Sequence, residues 1–155
     1  MPMPVAPPKN PDSPLASLVG HHVGIRVPDY AAAVAWYTEK LDFRILHEWP
    51  YGELKLAYLM PANDDDFHIE ILAGPVPFPK EVLDDLGVSL RYGGYQHICV
   101  HVDNVDDVRA ELSRRGVDLL GEPFLVEDIS RKLAFLRDPW GNMIELSETL
   151  PGAGA

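Results

Sequence analysis

The sequence predicts an α+β fold built from two βαβββ modules whose mixed sheets curve around a shared cavity. Three observations carry this prediction, and all recur at an offset of 75 residues. The stretch His22-Val23-Gly24-Ile25-Arg26-Val27 has a later copy, Gln96-His97-Ile98-Cys99-Val100-His101-Val102. Both alternate as a strand does when one face packs on a core. Glu70, inside Phe67-His68-Ile69-Glu70-Ile71-Leu72, has its copy in Glu145, inside Asn142-Met143-Ile144-Glu145-Leu146. Asp29 and Asn104 each stand where a helix cap is expected, just before an apolar stripe of helical period.

Residues 1–17 hold six prolines and cannot form a regular helix or a central strand. They read as a mobile arm, placed to lie against a partner subunit. Residues 20–27 form the first strand. A helix follows Asp29, with Tyr30, Ala33, Val34, Tyr37 and Leu41 on one face. Residues 44–49 and 54–60 read as a hairpin around Tyr51-Gly52, and 67–72 as the next strand. Asp64-Asp65-Asp66 reads as a solvated loop. Residues 73–94 form a linker, with a short helical pattern over Lys80–Leu86 and a closing Gly93-Gly94. The second module repeats the first. It has a strand at 96–102, a helix after Asn104 with Val105, Val108 and Leu112 inward, and a stop at Gly116. Strand candidates lie at 118–120, about 124–127 and 132–137, followed by an Asp138–Asn142 turn and a last strand at 142–148. The domain therefore runs over 18–149, with modules at about 18–72 and 95–149 and a tail at 150–155.

A net charge of −11 and a pI near 4.8 argue against nucleic acid and against anionic membrane surfaces. No apolar run approaches the roughly 18 residues of a membrane span. The single Cys99 leaves no intrachain disulfide and fits a reducing, cytoplasmic compartment.

Strand alternation sends Val23, Ile25, Val27, Ile69, Ile71, Ile98, Val100, Val102, Ile144 and Leu146 toward the helices. His22, Glu70, His97 and Glu145 then face the opposite way. The spacing from His to Glu is 48 residues in both halves. Any one of these residues alone reads as rim or solvent-facing; the joint pattern points to a His2Glu2 metal site. Imidazole and carboxylate suit one divalent ion per site, among Zn, Ni, Co, Mn and Fe. Four protein ligands on an octahedral ion leave two positions open for water or a bidentate substrate. The same alternation places Arg26, His68, Cys99, His101, Met143 and Ser147 on the cavity face. His21 is expected to point to the other face as a structural residue. Arg131 and Lys132 form the basic pair near the cavity mouth, either holding an anionic tail or lying as plain surface charge.

These stretches resemble the vicinal oxygen chelate superfamily, which includes glyoxalases, bleomycin-resistance proteins and ring-cleaving dioxygenases. The likeness covers residues 20–148. It rests on His-Val-Gly-Ile-Arg-Val at 22–27, Trp-Tyr-Thr-Glu-Lys-Leu at 36–41, His-Ile-Glu-Ile at 68–71, Gln-His-Ile-Cys-Val at 96–100, and Asp-Pro-Trp-Gly-Asn-Met-Ile-Glu-Leu at 138–146. The resemblance implies a homodimer, a small-molecule substrate with vicinal oxygens, and metal ligands at His22, Glu70, His97 and Glu145.

Bleomycin-binding members lack those ligands. Dioxygenases carry a His and a Tyr before the final turn, where this chain has Ser130-Arg131-Lys132-Leu133-Ala134-Phe135. The order His-Glu-His-Glu is most similar to bacterial glyoxalase I. That implies a lyase or isomerase acting through a metal-chelated enediolate, with Glu145 as first candidate base and Glu70 as second. Arg26 matches an arginine that glyoxalase I uses for a glutathione carboxylate, and also reads as a surface strand residue. The pattern departs at Gly74, where glyoxalase I has an asparagine. His68, Cys99 and His101 are candidate substrate contacts; His68 and His101 read most simply as polar lining and Cys99 as a small filler. The alternatives are an epimerase of an acyl-CoA or of a cyclitol-type ketose, then an extradiol dioxygenase, then a non-catalytic drug-binding dimer.

Overall fold

The computed structural model describes residues 5–152; Met1, Pro2, Met3 and Pro4 of the arm and residues 153–155 of the tail lie outside this range. Residues 5–21 contain no helix or strand. Strand β1 (His22–Val27) leads into helix α1 (Tyr30–Leu41), then β2 (Arg44–Tyr51), β3 (Leu54–Met60) and β4 (His68–Ala73). After the linker helix α2 (Leu86–Ser89) come β5 (His97–His101), α3 (Val105–Arg114), β6 (Asp118–Val126), β7 (Arg131–Arg137) and β8 (Met143–Thr149). Each half is a four-stranded mixed sheet, ordered β1-β4-β3-β2 and β5-β8-β7-β6. In both, the first strand runs parallel to the last, and the remaining pairs are antiparallel.

The caps are where the sequence places them. The Asp29 carboxylate accepts from the Ala32 N–H at 2.7 Å, and Asn104 Oδ1 accepts from the Asp107 N–H at 2.9 Å. Each satisfies one orphan donor of its helix. Gly116 follows α3 at φ +74°, a conformation a side chain resists.

Two readings of the sequence need correction. Residues 80–85 are not helical; the linker helix starts at Leu86, because Asp85 caps it by accepting from the Val88 N–H at 2.8 Å. The candidates at 118–120 and 124–127 are one strand, β6, carrying a register shift between Leu120 and Phe124. An irregularity of this kind bends a strand without ending it.

The predicted alternation holds. Ile25, Val27, Ile69, Ile71, Ile144 and Leu146 are buried, and Val23, Ile98, Val100 and Val102 pack partly buried against the same cluster. That one cluster takes side chains from both halves, so the helix-bearing faces share a core. Each fully buried Leu, Ile or Val there contributes about 1.5–3 kcal/mol. A polar bond spans the halves inside it. The Tyr37 hydroxyl of α1 donates to the Asp138 carboxylate at 3.0 Å, and both residues are fully buried. Asp138 also accepts from the Trp140 and Asn142 N–H groups and from Asn142 Nδ2. Burial nevertheless pushes the Asp138 carboxyl above its usual range. Lys40 and Arg115 add backbone contacts between the ends of α1 and α3. No helix among the described residues is long and apolar enough to cross a membrane.

Candidate metal centre

With the helix faces packed into the core, the opposite sheet faces carry the four candidate ligands. On the first sheet, Glu70 of β4 sits beside Gly24 of β1, one alternate position from His22. His22 Nε2 lies 3.4 Å from Glu70 Oε2. On the second sheet, Glu145 of β8 sits beside Cys99 of β5, one alternate position from His97. His97 Nε2 lies 3.4 Å from Glu145 Oε2. The imidazoles are about a third exposed (33% and 34%), and the carboxylates are mostly covered (16% and 14%), so both pairs remain open to a ligand from the sheet surface.

The other ring nitrogen is held in both halves, again by residues 75 apart. His21 Nδ1 lies 2.7 Å from His22 Nδ1, and the Gln96 side-chain oxygen contacts His97 Nδ1. Gln96 is itself anchored, since its Nε2 donates to Ser89 Oγ at 2.7 Å and that hydroxyl donates to the Leu86 carbonyl. The linker helix thereby sets the orientation of His97. Fixing one nitrogen of an imidazole so that the other faces outward is how proteins orient metal-ligating histidines. The donor chemistry and the orientation of both pairs therefore fit a divalent ion.

The four residues do not close into one set within the chain. Among the described residues no group of three or more His, Cys, Asp or Glu stands close enough to share an ion. The physical reason is that the two sheets are separate and each keeps its own pair. The histidines do border one cavity of about 450 Å³ between β1 and β5, together with Arg26, Tyr95, Gln96 and Met143; Glu70 and Glu145 are not among its walls.

The other predicted contacts divide. Both terminal nitrogens of Arg26 donate to backbone carbonyls, those of Leu72 and Pro75, so the guanidinium ties the linker to β4. His68 is buried, with Nδ1 3.3 Å from the His21 carbonyl. His101 lies beside Arg131, which donates to Thr149 Oγ1. Lys132, on the opposite face of β7, pairs with Asp106. The expected basic pair is thus split by strand alternation. Cys99 is free and exposed at the sheet surface. Its thiol is pushed up to about 12, first by desolvation and then by the adjacent Glu145 carboxylate.

His21 does not point away as expected. It precedes the first residue of β1, so period-two alternation does not govern it. Its ring lies 5.1 Å from that of His68 and 5.8 Å from that of Tyr58. Rings on the inner strands β3 and β7 also join these faces. Tyr58 pairs opposite Glu70, and Phe135 opposite Glu145. The register across β3 and β7 could have pointed to both.

The chain is 25% identical over 150 residues to the lactoylglutathione lyase of Schizosaccharomyces pombe; the match covers 86% of this chain and 49% of that enzyme, so the chain spans about half the length of this relative. It is 26% identical over 130 residues to the mitochondrial methylmalonyl-CoA epimerase of Homo sapiens, covering 83% of this chain and 72% of that protein. A glyoxalase family protein from Enterococcus faecalis superposes with a TM-score of 0.64 at 25% identity, over 84% of this chain and 97% of its own. Residues 20–146 match the family model of the Glyoxalase/Bleomycin resistance protein/Dioxygenase superfamily, and the chain belongs to that superfamily.

Proposed function

We propose that this chain is a divalent-metal-dependent lyase or isomerase that moves a proton next to a carbonyl, in the manner of lactoylglutathione lyase. The observation that carries the reading is the duplicated pair, His22–Glu70 and His97–Glu145, at the same separation in the same register. A homodimer completes the site in this reading, with the pair of one chain meeting the other pair of its partner. A bound divalent ion would polarise two adjacent substrate oxygens and ease loss of the proton between them. Glu145 takes that proton and returns it to the neighbouring carbon; Glu70 and the two histidines hold position, with His21 and Gln96 fixing the rings. Return of the proton to the opposite face of the same carbon is epimerisation, the second reading, favoured by the similarity to methylmalonyl-CoA epimerase.

Metal content by elemental analysis is the primary test. About one divalent ion per site is expected in the native protein and little in His97→Ala after matched reconstitution. Absence of metal from both removes the enzyme reading in favour of a ligand-sequestering dimer. Site sharing has its own test. Chains bearing His22→Ala and His97→Ala, mixed and allowed to exchange, should regain about a quarter of the native metal sites, because each mixed dimer rebuilds one intact set. No recovery would mean that the sites close within single chains.

A further inference from the structure

Each ligand-candidate histidine begins a run of aromatic rings that crosses its own sheet. On the first sheet His22 is followed by Tyr58 at 5.2 Å between ring centroids, then Trp49 at 4.7 Å, then His47, stacked on Trp49 at 5.5 Å. The path leaves β1, passes over Glu70 and ends on the outer strand β2. On the second sheet His97 meets Phe135 edge-on at 5.4 Å, and Phe135 stacks on Phe124 at 6.2 Å with the ring planes 6° apart. This path leaves β5, passes over Glu145 and ends on the outer strand β6. None of Tyr58, Trp49, Phe124 and Phe135 belongs to the core shared by the two halves. Phe124 is 41% exposed. On the second sheet Phe135 is buried in a small cluster of its own with Leu120, Leu133 and Met143, which leaves Phe124 as the open ring; on the first sheet Tyr58 and Trp49 are half-buried and belong to neither cluster.

We infer that the substrate carries a planar aromatic or conjugated group attached to its vicinal-oxygen end, and that these ring runs bind it. This rests on the metal-site reading above and names its substrate class. Oxygens held near the His–Glu pair leave the rest of the molecule lying along the rings, whose faces and edges favour another π-system in stacked or edge-on contact. A peptide or nucleotide tail calls instead for several cations beside the site; the Arg26 terminal nitrogens are committed to backbone carbonyls, which leaves Lys80 as the other cation on the cavity wall.

Two hydroxamates test this, because both offer the same pair of adjacent oxygens and differ only in phenyl against methyl. Binding of benzohydroxamate and acetohydroxamate is measured by calorimetry on the full chain loaded with Zn2+ and, separately, with Co2+. The native protein should favour the phenyl compound by about tenfold, and the ratio should drop in Trp49→Ala, in Phe124→Ala or in both. A drop in one variant alone assigns the ring to that sheet. If both compounds bind with a ratio near one, or if the ratio ignores both substitutions, the aromatic inference is wrong while the metal reading stands. If metal-loaded protein binds neither, the vicinal-oxygen reading fails and takes this inference with it.

Discussion

The two halves of the chain share a backbone plan and differ in what surrounds the same carboxylate. Glu70 lies between Gly24 and Tyr58, and a Cβ on Gly24 would stand 3.4 Å from Glu70 Oε2. Glu145 lies between Cys99 and Phe135, with no such gap. His22 is steadied by an imidazole, His21, and His97 by an amide, Gln96, that is anchored through Ser89 to α2. The comparison teaches that duplication preserved the donor geometry and freed the surroundings to diverge. In the proposed lyase or isomerase reading, one half would hold the substrate end while the other handles the proton.

The largest expected effect breaks the equivalence of the carboxylates. Glu145→Gln should lower turnover about 10²–10⁴-fold while keeping much of the metal, and Glu70→Gln should cost turnover mainly through lost metal. Turnover measured at saturating metal separates the two. Equal losses would mean that the halves are interchangeable and that Glu145 has no special role.

A smaller effect sharpens the contrast in ring orientation. Gln96→Ala and His21→Ala should each weaken metal binding by about 10–100-fold in competition titrations, as loss of an orienting partner does. Gln96→Ala should cost more, since it also severs α2 from the site. A loss confined to His21→Ala would show that the anchored amide is dispensable.

The smallest effect concerns the junction. Tyr37 reaches from the first half to Asp138 in the second, whereas its counterpart 75 residues on is the apolar Leu112. Tyr37→Phe should cost about 1–3 kcal/mol of stability by urea unfolding and leave metal content unchanged. The same bond has a pH signature. The Asp138 carboxyl is raised above its usual 3.8, so the native state holds its proton more tightly than the unfolded chain. Its contribution to stability is therefore present at low pH and falls as pH rises from about 4 through the raised value. The native protein should lose ground to Asp138→Asn across that window; the opposite slope would show that the four donors outweigh burial.

The strand alternation and both helix caps were legible in the sequence because each depends on neighbours a few residues apart, and the twofold His–Glu pattern because its 48-residue spacing repeats 75 residues on. The true start of α2 was legible in principle from Asp85, but Lys80–Leu86 offered a competing apolar spacing. His21 was misread because alternation was carried one residue beyond the strand. Arg131 and Lys132 were read as a pair although consecutive strand residues face apart.

What the sequence determined by itself is the module plan, the faces of the strands and the recurrence of a His and a Glu at matched positions in both modules. The grouping of those residues was left to the tertiary structure. Burial of the helix faces in one core leaves the sheets separate, so each keeps one His–Glu pair. Cross-strand register, which no local pattern encodes, sets the aromatic rings beside the histidines.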